Sequence, residues 1–234
     1  MKSILLLWLA AVVSIAAVAQ PKTNIYPTSA GNIEITLIGH GSLSILFNGK
    51  VIHIDPYTKA GDYTEARPGD LILITHEHAD HFDPALLKNL VTPESYVITS
   101  KTVAGLYDRA DMYMENGDVF GWEDIRIEAV PAYNIRNLKE NGEAYHPKGR
   151  GNGYVLTFGD FTVYIAGDTE PIPEMNDLPE IDVAFLPKNL PYTMSDEQFV
   201  EAAKIVRPDV LYPYHYNTID WLWLRQQLPD IVLK

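Results

Sequence analysis

The sequence contains no cysteine among its 234 residues. Disulfide bonds, thiolate metal ligands and a cysteine nucleophile are therefore excluded, and any chemistry must use nitrogen and oxygen groups. Runs of lysine and arginine are also absent, and the formal net charge at pH 7 is −13. Because a protein that binds a nucleic-acid backbone needs a basic patch, this charge balance predicts no nucleic-acid partner.

Long apolar runs are scarce as well, and the one at residues 4–17 has the features of a secretion signal. Lys2 precedes it, and a small-x-small cleavage site follows it. The run is short for a membrane span, which needs about 20 residues. We therefore predict a signal peptide at residues 1–19 and a secreted or periplasmic protein with no stable membrane anchor after cleavage. An uncleaved anchor is the alternative.

The remaining residues, 20–234, form blocks of alternating apolar and polar positions that predict short strands separated by single helices. Strands are predicted at residues 33–38, 43–47, 51–54, 71–74, 97–99, 125–130, 153–158, 161–166, 183–186 and 210–213. Helices are predicted at residues 83–90, 102–109, 195–206 and 220–228, and the polar residues 20–32 predict a tether. No flexible linker divides the chain, so the pattern favours one α+β domain, a four-layer αββα sandwich.

The most informative motif is an H-x-H-x-D-H string at residues 76–81, directly after an apolar strand. Burying several imidazoles and a carboxylate together is costly unless a metal ion binds them. Side chains alternate on an extended backbone, so His76 and His78 point the same way and can bind one ion. Asp80 and His81 follow at once and can serve a second ion beside it.

Three further residues are candidate ligands because a two-ion site needs more than this string supplies. Asp168 follows a strong strand, His215 follows the last strand, and His146 lies in a loop. Each has a simpler interpretation. Asp168 would be a turn aspartate, His215 a surface histidine packed among aromatics, and His146 an ordinary loop residue. Five of the seven histidines of the chain belong to this candidate site.

In content and order, these residues resemble the metallo-β-lactamase superfamily. The shorter stretches at residues 38–42, 54–56, 130–132 and 192–194 resemble its branch of L-ascorbate-6-phosphate-lactonase-like hydrolases. The resemblance covers nearly all of residues 20–234 and implies a metallo-β-lactamase-like hydrolase domain. It also implies two ligand sets with Asp168 bridging them: His76, His78 and His146 for one ion, and Asp80, His81 and His215 for the other. Some relatives carry a histidine where this chain has Tyr133-Asn134, which leaves His146 as the remaining candidate.

Four more residues are expected to orient ligands or contact substrate. Asp55 is predicted to accept a hydrogen bond from a ligand histidine, since ligating imidazoles commonly donate their second N–H. Asn134 is placed in the same group because it lies where some relatives carry a histidine. His40 has either such a role or a structural one, and Lys188 either reaches an anionic substrate group or is a solvated loop residue. His53, within an apolar strand, is predicted to be structural.

These features predict an exported, dinuclear metal-dependent hydrolase of a small molecule. A metal-activated water would attack a lactone, ester or phosphodiester bond, and Asp80 would act as ligand and proton acceptor. Two divalent ions are expected, zinc first, with manganese or iron as alternatives. The alternatives are a non-catalytic metal-binding protein on the same fold, a β-lactamase, or a binding module that uses the aromatics near the carboxyl end.

Overall fold

Two mixed β-sheets packed face to face form the centre of the protein, whose computed structural model describes residues 23–234. The first sheet has the spatial order β1 (Thr23–Thr28), β2 (Gly31–Gly39), β3 (Ser42–Phe47), β4 (Lys50–Ile54), β5 (Leu71–Leu73), β6 (Tyr96–Ser100) and β7 (Met112–Met114). Strands β1 to β4 pair antiparallel, and β4 to β7 pair parallel. The predicted signal peptide, residues 1–19, lies outside the described residues.

The second sheet has the same plan. Its strands, counted from the opposite edge, are β8 (Val119–Trp122), β9 (Ile125–Ala132), β10 (Gly151–Phe158), β11 (Phe161–Ile165), β12 (Val183–Pro187), β13 (Val210–Tyr214) and β14 (Val232–Leu233). Strands β8 to β11 pair antiparallel, and β11 to β14 pair parallel. Each half of the chain thus begins with antiparallel strands and continues with parallel ones.

Helices cover the outer faces of both sheets and complete four layers. They are α1 (Pro84–Leu90), α2 (Lys101–Ala104), α3 (Asp196–Val206) and α4 (Trp221–Gln227), with a 3-10 helix at Pro173–Asp177. Alternate side chains of the strands point inward into one core shared by the sheets, while the others pack against the helices. The predicted αββα sandwich is confirmed. Within residues 23–234, no helix has the length and apolar composition to span a membrane.

Local sequence signals explain where several elements begin and turn. Asp83 accepts hydrogen bonds from the first-turn amides of α1, and Ser195 forms a complete capping box with Gln198 at the start of α3. Asn48 and Gly49 both have positive φ, 48° and 80°, as a two-residue type I′ hairpin requires.

Two predictions were wrong. The polar residues after Gln20 are not a tether, because residues 23–28 form β1 and pair with β2. An edge strand with half-exposed side chains needs few apolar residues, so its composition resembled that of a linker. The helix predicted at residues 102–109 is reduced to the single turn of α2, which ends at Ala104 with Gly105 as its C-cap. Strands β7, β8 and β14 are short and were not predicted.

Candidate metal centre

The candidate ligands meet at one edge of the sandwich, where the carboxyl ends of the parallel strands lie together. The string at residues 76–81 follows β5, Asp168 follows β11 and His215 follows β13. His146 comes from the loop between β9 and β10. This edge is the usual place for a ligand site in a sheet of parallel strands, because each strand delivers a loop there. The structure therefore brings all seven predicted ligand residues into two adjoining groups.

The first group contains His76, His78, His146 and Asp168, whose ligand atoms lie within 4.8 Å of one another. His146 Nε2 is 3.2 Å from Asp168 Oδ2 and 3.1 Å from His78 Nδ1. His76 Nε2 is 3.9 Å from Asp168 Oδ2. Three imidazole nitrogens and one carboxylate oxygen in this arrangement match the donor set of a zinc-like divalent ion.

The second group contains His40, Asp80, His81 and His215, again with ligand atoms within 4.8 Å. Asp80 Oδ2 is 2.8 Å from His40 Nε2 and 3.3 Å from His215 Nε2. The rings of His40 and His215 are 3.9 Å apart, and the amide of His215 donates to the carbonyl of His40 at 2.8 Å. The sequence allowed either a site role or a structural role for His40, and these contacts place it at the site.

Asp168 stands between the two groups. Its Oδ1 is 3.4 Å from His81 Nε2, and its Oδ2 is 3.4 Å from His215 Nε2 in addition to its contacts in the first group. Within residues 23–234, four buried atoms without a hydrogen-bond partner also meet here: His76 Nε2, His81 Nε2, His215 Nε2 and Asp168 Oδ1. Buried polar atoms without partners are costly and rare. Cations between them would satisfy all four, so the residues fit a pair of metal ions.

The electrostatics of the cluster keep its carboxylates ionised. Burial would raise the pKa of Asp168, but the charges of His215 and His81 hold it well below its usual value. Burial also opposes ionisation of Asp80, yet the neighbouring imidazoles of His215 and His40 lower its pKa. The pKa of the His81 imidazole is raised by Asp168 and Asp55 in spite of burial. Ionised carboxylates are what a cation requires, and an ion at His81 would displace the proton there.

Asp55, fully buried at the end of β4, holds the string in place. Its Oδ2 is 2.7 Å from His81 Nδ1, and its two carboxylate oxygens accept hydrogen bonds from the amide and hydroxyl of Thr75. The Thr75 hydroxyl is in turn 3.0 Å from His76 Nδ1. Asp55 thus orients His81 directly, so that the Nε2 atom of that ring faces the centre.

Asn134 and a residue that the sequence did not indicate, Glu170, orient His146. Asn134 Oδ1 accepts from the His146 amide and lies 2.8 Å from its Nδ1, while Asn134 Nδ2 donates to the Tyr192 carbonyl and to Glu170 Oε1. Glu170 is fully buried and also accepts from the amides of Arg136 and Asn137. No pattern marked Glu170, because its partners are more than 30 residues away in sequence.

Lys188 is the one predicted site residue that the structure does not bring to the centre. Its ammonium is 2.5 Å from Asp196 and donates to the Thr218 carbonyl at 2.9 Å. His53 also lies elsewhere, buried in β4 with Nε2 2.9 Å from the Arg67 carbonyl, as the structural interpretation expects.

The backbone around the centre is unusual in two respects. His40, Asp55 and His215 all adopt positive φ, between 45° and 54°, which is uncommon outside glycine and concentrates at functional sites. Gly41 lies against the His81 ring, where an added Cβ would come within 2.7 Å of Cε1. A side chain at position 41 would therefore displace His81.

Comparison with known proteins agrees with this geometry. The family model described as the β-lactamase superfamily domain matches residues 34–215. A metal-dependent hydrolase of the UPF0173 group from Methanopyrus kandleri is 30% identical over 203 residues, covering 80% of this chain and 85% of its own.

Two solved structures extend the comparison. The crystal structure of a protein described as a metal-dependent hydrolase from Parabacteroides distasonis is 40% identical, with a TM-score of 0.86, and the match covers 92% of this chain and 97% of that one. The metallo hydrolase Igni18 from Ignicoccus hospitalis is 25% identical, with a TM-score of 0.70, covering 86% and 94% of the two chains.

Proposed function

The chain belongs to the β-lactamase superfamily, and we propose that it is an exported dinuclear metal-dependent hydrolase that cleaves a lactone, ester or phosphodiester bond of a small molecule. The observation that carries the proposal is the position of Asp168, whose carboxylate lies within 4 Å of His76, His146, His81 and His215. A carboxylate between two groups of imidazoles suits two neighbouring ions better than one.

In this proposal the ligands divide as the family pattern implies. His76, His78 and His146 would hold one ion, Asp80, His81 and His215 the other, and Asp168 would bridge them. Bound zinc, or manganese or iron in its place, would supply a water of lowered pKa and polarise the bond that breaks. Hydrolysis adds the hydroxyl of that water to the acyl or phosphoryl centre and its proton to the leaving oxygen.

Asp80 is the proton acceptor in this proposal because it is the carboxylate that the substrate can approach. Its side chain is 35% exposed, against 3% for Asp168, and it lines the cleft beside the centre. His40 and His215 both contact its Oδ2, which fixes the carboxylate at the mouth of the centre. His40 thereby serves as a positioning residue for Asp80.

A non-catalytic metal-binding role on the same fold is less consistent with the surroundings of the centre. Structural metal sites are closed by protein ligands on all sides, whereas catalytic sites keep an open position. Here a cleft of about 490 Å³ opens directly onto His78, Asp80, His146, Asp168 and His215. A volume of this size accommodates a small-molecule substrate.

Metal content tests the proposal directly. Protein produced from Gln20 onward, without a histidine tag and without chelator, is expected to contain close to two ions per chain by mass spectrometry. Removing them with a chelator should abolish hydrolysis across a panel of lactones, aryl esters and phosphodiesters, and adding zinc, manganese or iron back should restore it. One ion or fewer after reconstitution, or two ions with no turnover of any bond class, would contradict the dinuclear hydrolase.

Export is tested separately with the full chain expressed in a bacterial host. We expect the protein in the periplasm or medium, with an intact mass that begins at Gln20. Replacing Ala17 and Ala19 with bulky residues should block cleavage and leave the precursor on the membrane, because the cleavage site needs small side chains. A protein recovered from the cytoplasm with residues 1–19 attached would contradict export without affecting the proposed chemistry.

A further inference from the structure

The cleft beside the metal centre has a second wall that the proposed chemistry does not use. Besides the candidate ligands and Ala79, it is lined by Lys139, Tyr145, Tyr192 and Asn189. The rings of Tyr145 and Tyr192 meet edge to face, with centroids 5.1 Å apart and planes at 79°. Two aromatic rings with one cation beside them form a wall with apolar area and a single positive charge.

Lys139 is the one lysine or arginine that lines this cleft in the part of the chain from residue 23 onward. Basic residues on the segments that carry Lys139 and Asn189 are neutralised by carboxylates: Arg150 pairs with Glu77, Lys188 with Asp196, Lys148 with Glu174 and Arg136 with Glu201. Within the described residues, Lys139 has no such ion pair. Its charge is therefore available to a molecule that enters the cleft.

The loop that carries Lys139 is built to present it. The Lys139 amide donates to the Glu143 carbonyl at 2.8 Å, and the Gly142 amide donates to the Lys139 carbonyl at 2.9 Å. Leu138 and Ala144 form a β-bridge across this small hairpin, which leads directly to Tyr145 and His146. The Lys139 ammonium lies 5.8 Å from the centre of the Tyr145 ring. The cation and the ligand His146 are thus held on one short, hydrogen-bonded segment.

We propose that the substrate is a small organic anion, whose carboxylate or phosphate group pairs with Lys139 while its apolar, ring-sized body lies against Tyr145 and Tyr192. This inference rests on the proposed function, since it places the scissile bond at the metal centre. The formal net charge of −13 gives the physical reason for a dedicated cation. An acidic surface repels anions, so a site for an anionic substrate needs local positive charge to offset that repulsion.

Aromatic carboxylates test the proposal by isothermal titration calorimetry on the ion-loaded protein. Benzoate offers one carboxylate to the metal centre, and isophthalate and terephthalate offer a second one at two different separations. We expect at least one dicarboxylate to bind about three- to fivefold more tightly than benzoate. In Lys139→Met this preference should disappear while benzoate affinity is retained, and Lys139→Arg should restore it. Lys204→Met, which removes an exposed lysine of α3 outside the cleft, is the matched control for net charge.

The outcomes separate this inference from the proposed function. If the protein holds its ions and binds benzoate, but the second carboxylate adds no affinity or its effect persists in Lys139→Met, the anionic substrate class is overturned and the hydrolase stands. An ion-loaded protein that binds none of the three acids overturns the inference as well. Failure to load ions would instead contradict the metal centre itself.

Discussion

Replacing Asp168 with alanine is expected to remove both metal ions from the protein, whereas replacing His78 with alanine should remove only one. Asp168 contacts His76 and His146 in one group and His81 and His215 in the other. Without its carboxylate, each ion would lose an anionic ligand, and the ion at His76, His78 and His146 would have no carboxylate left to compensate its buried charge. The loss of affinity should exceed the about 10- to 100-fold that follows removal of a hydrogen-bonding partner of a ligand.

The measurement is metal content after gel filtration, followed by reconstitution with zinc at increasing concentration. Circular dichroism checks that the fold survives, because Asp168 is buried and its removal leaves a small cavity. Asp230→Ala, which removes an exposed aspartate near the carboxyl end, controls for the change in net charge. If Asp168→Ala retained one tightly bound ion while turnover fell, Asp168 would belong to one group alone and the bridging arrangement would be wrong.

Much of the candidate site was predictable because its chemistry is concentrated in a few adjacent residues. The string at residues 76–81 places three imidazoles and a carboxylate at the end of one strand, and no packing argument explains that density. Asp168 and His215 were predicted as ligands for a similar reason, because each comes directly after a buried strand. The sandwich was predictable for a related reason: alternation in the strands and the N-cap residues of α1 and α3 are local signals.

The remaining features depend on contacts between distant parts of the chain. Glu170 looks like an ordinary residue in a loop, and only the fold shows that it binds the amides of Arg136 and Asn137. Lys139 lies in an exposed loop without periodicity, so nothing in its neighbourhood marked it as part of the cleft wall. The edge strand β1 was missed because an exposed strand lacks the apolar alternation that identifies a buried one.

The second large effect is expected from Asn134→Leu, which should weaken binding of the ion at His146 and leave the other ion in place. The orientation of the Asn134 amide is fixed by two backbone groups: its Oδ1 accepts from the His146 amide, and its Nδ2 donates to the Tyr192 carbonyl. Because Oδ1 can only accept, His146 Nδ1 must carry a proton, and the free lone pair is then on Nε2, facing Asp168.

Leucine has the same branching at Cγ as asparagine but accepts no hydrogen bond, so His146 would lose the group that selects its tautomer. Loss of such a partner commonly lowers metal affinity about 10- to 100-fold. Glu170→Ala should act in the same direction, because Glu170 Oε1 holds the Asn134 amide at 2.9 Å. Titration with cobalt(II), followed by its visible absorption, would show one strong and one weakened step in both variants.

A general loss of stability must be distinguished from this effect, since Glu170 also anchors the loop around Arg136. Asn137→Ala supplies the comparison: it removes a side chain that donates to Gln198 at 2.9 Å within the same network but does not contact His146. That variant should lose thermal stability and keep both cobalt steps. Equal weakening of both steps in Asn134→Leu, or an unchanged titration, would contradict the prediction. It would show that the hydrogen-bonded chain from Glu170 through Asn134 does not hold His146 in its metal-binding tautomer. A selective loss would explain how a loop histidine serves at a centre otherwise built from strand ends.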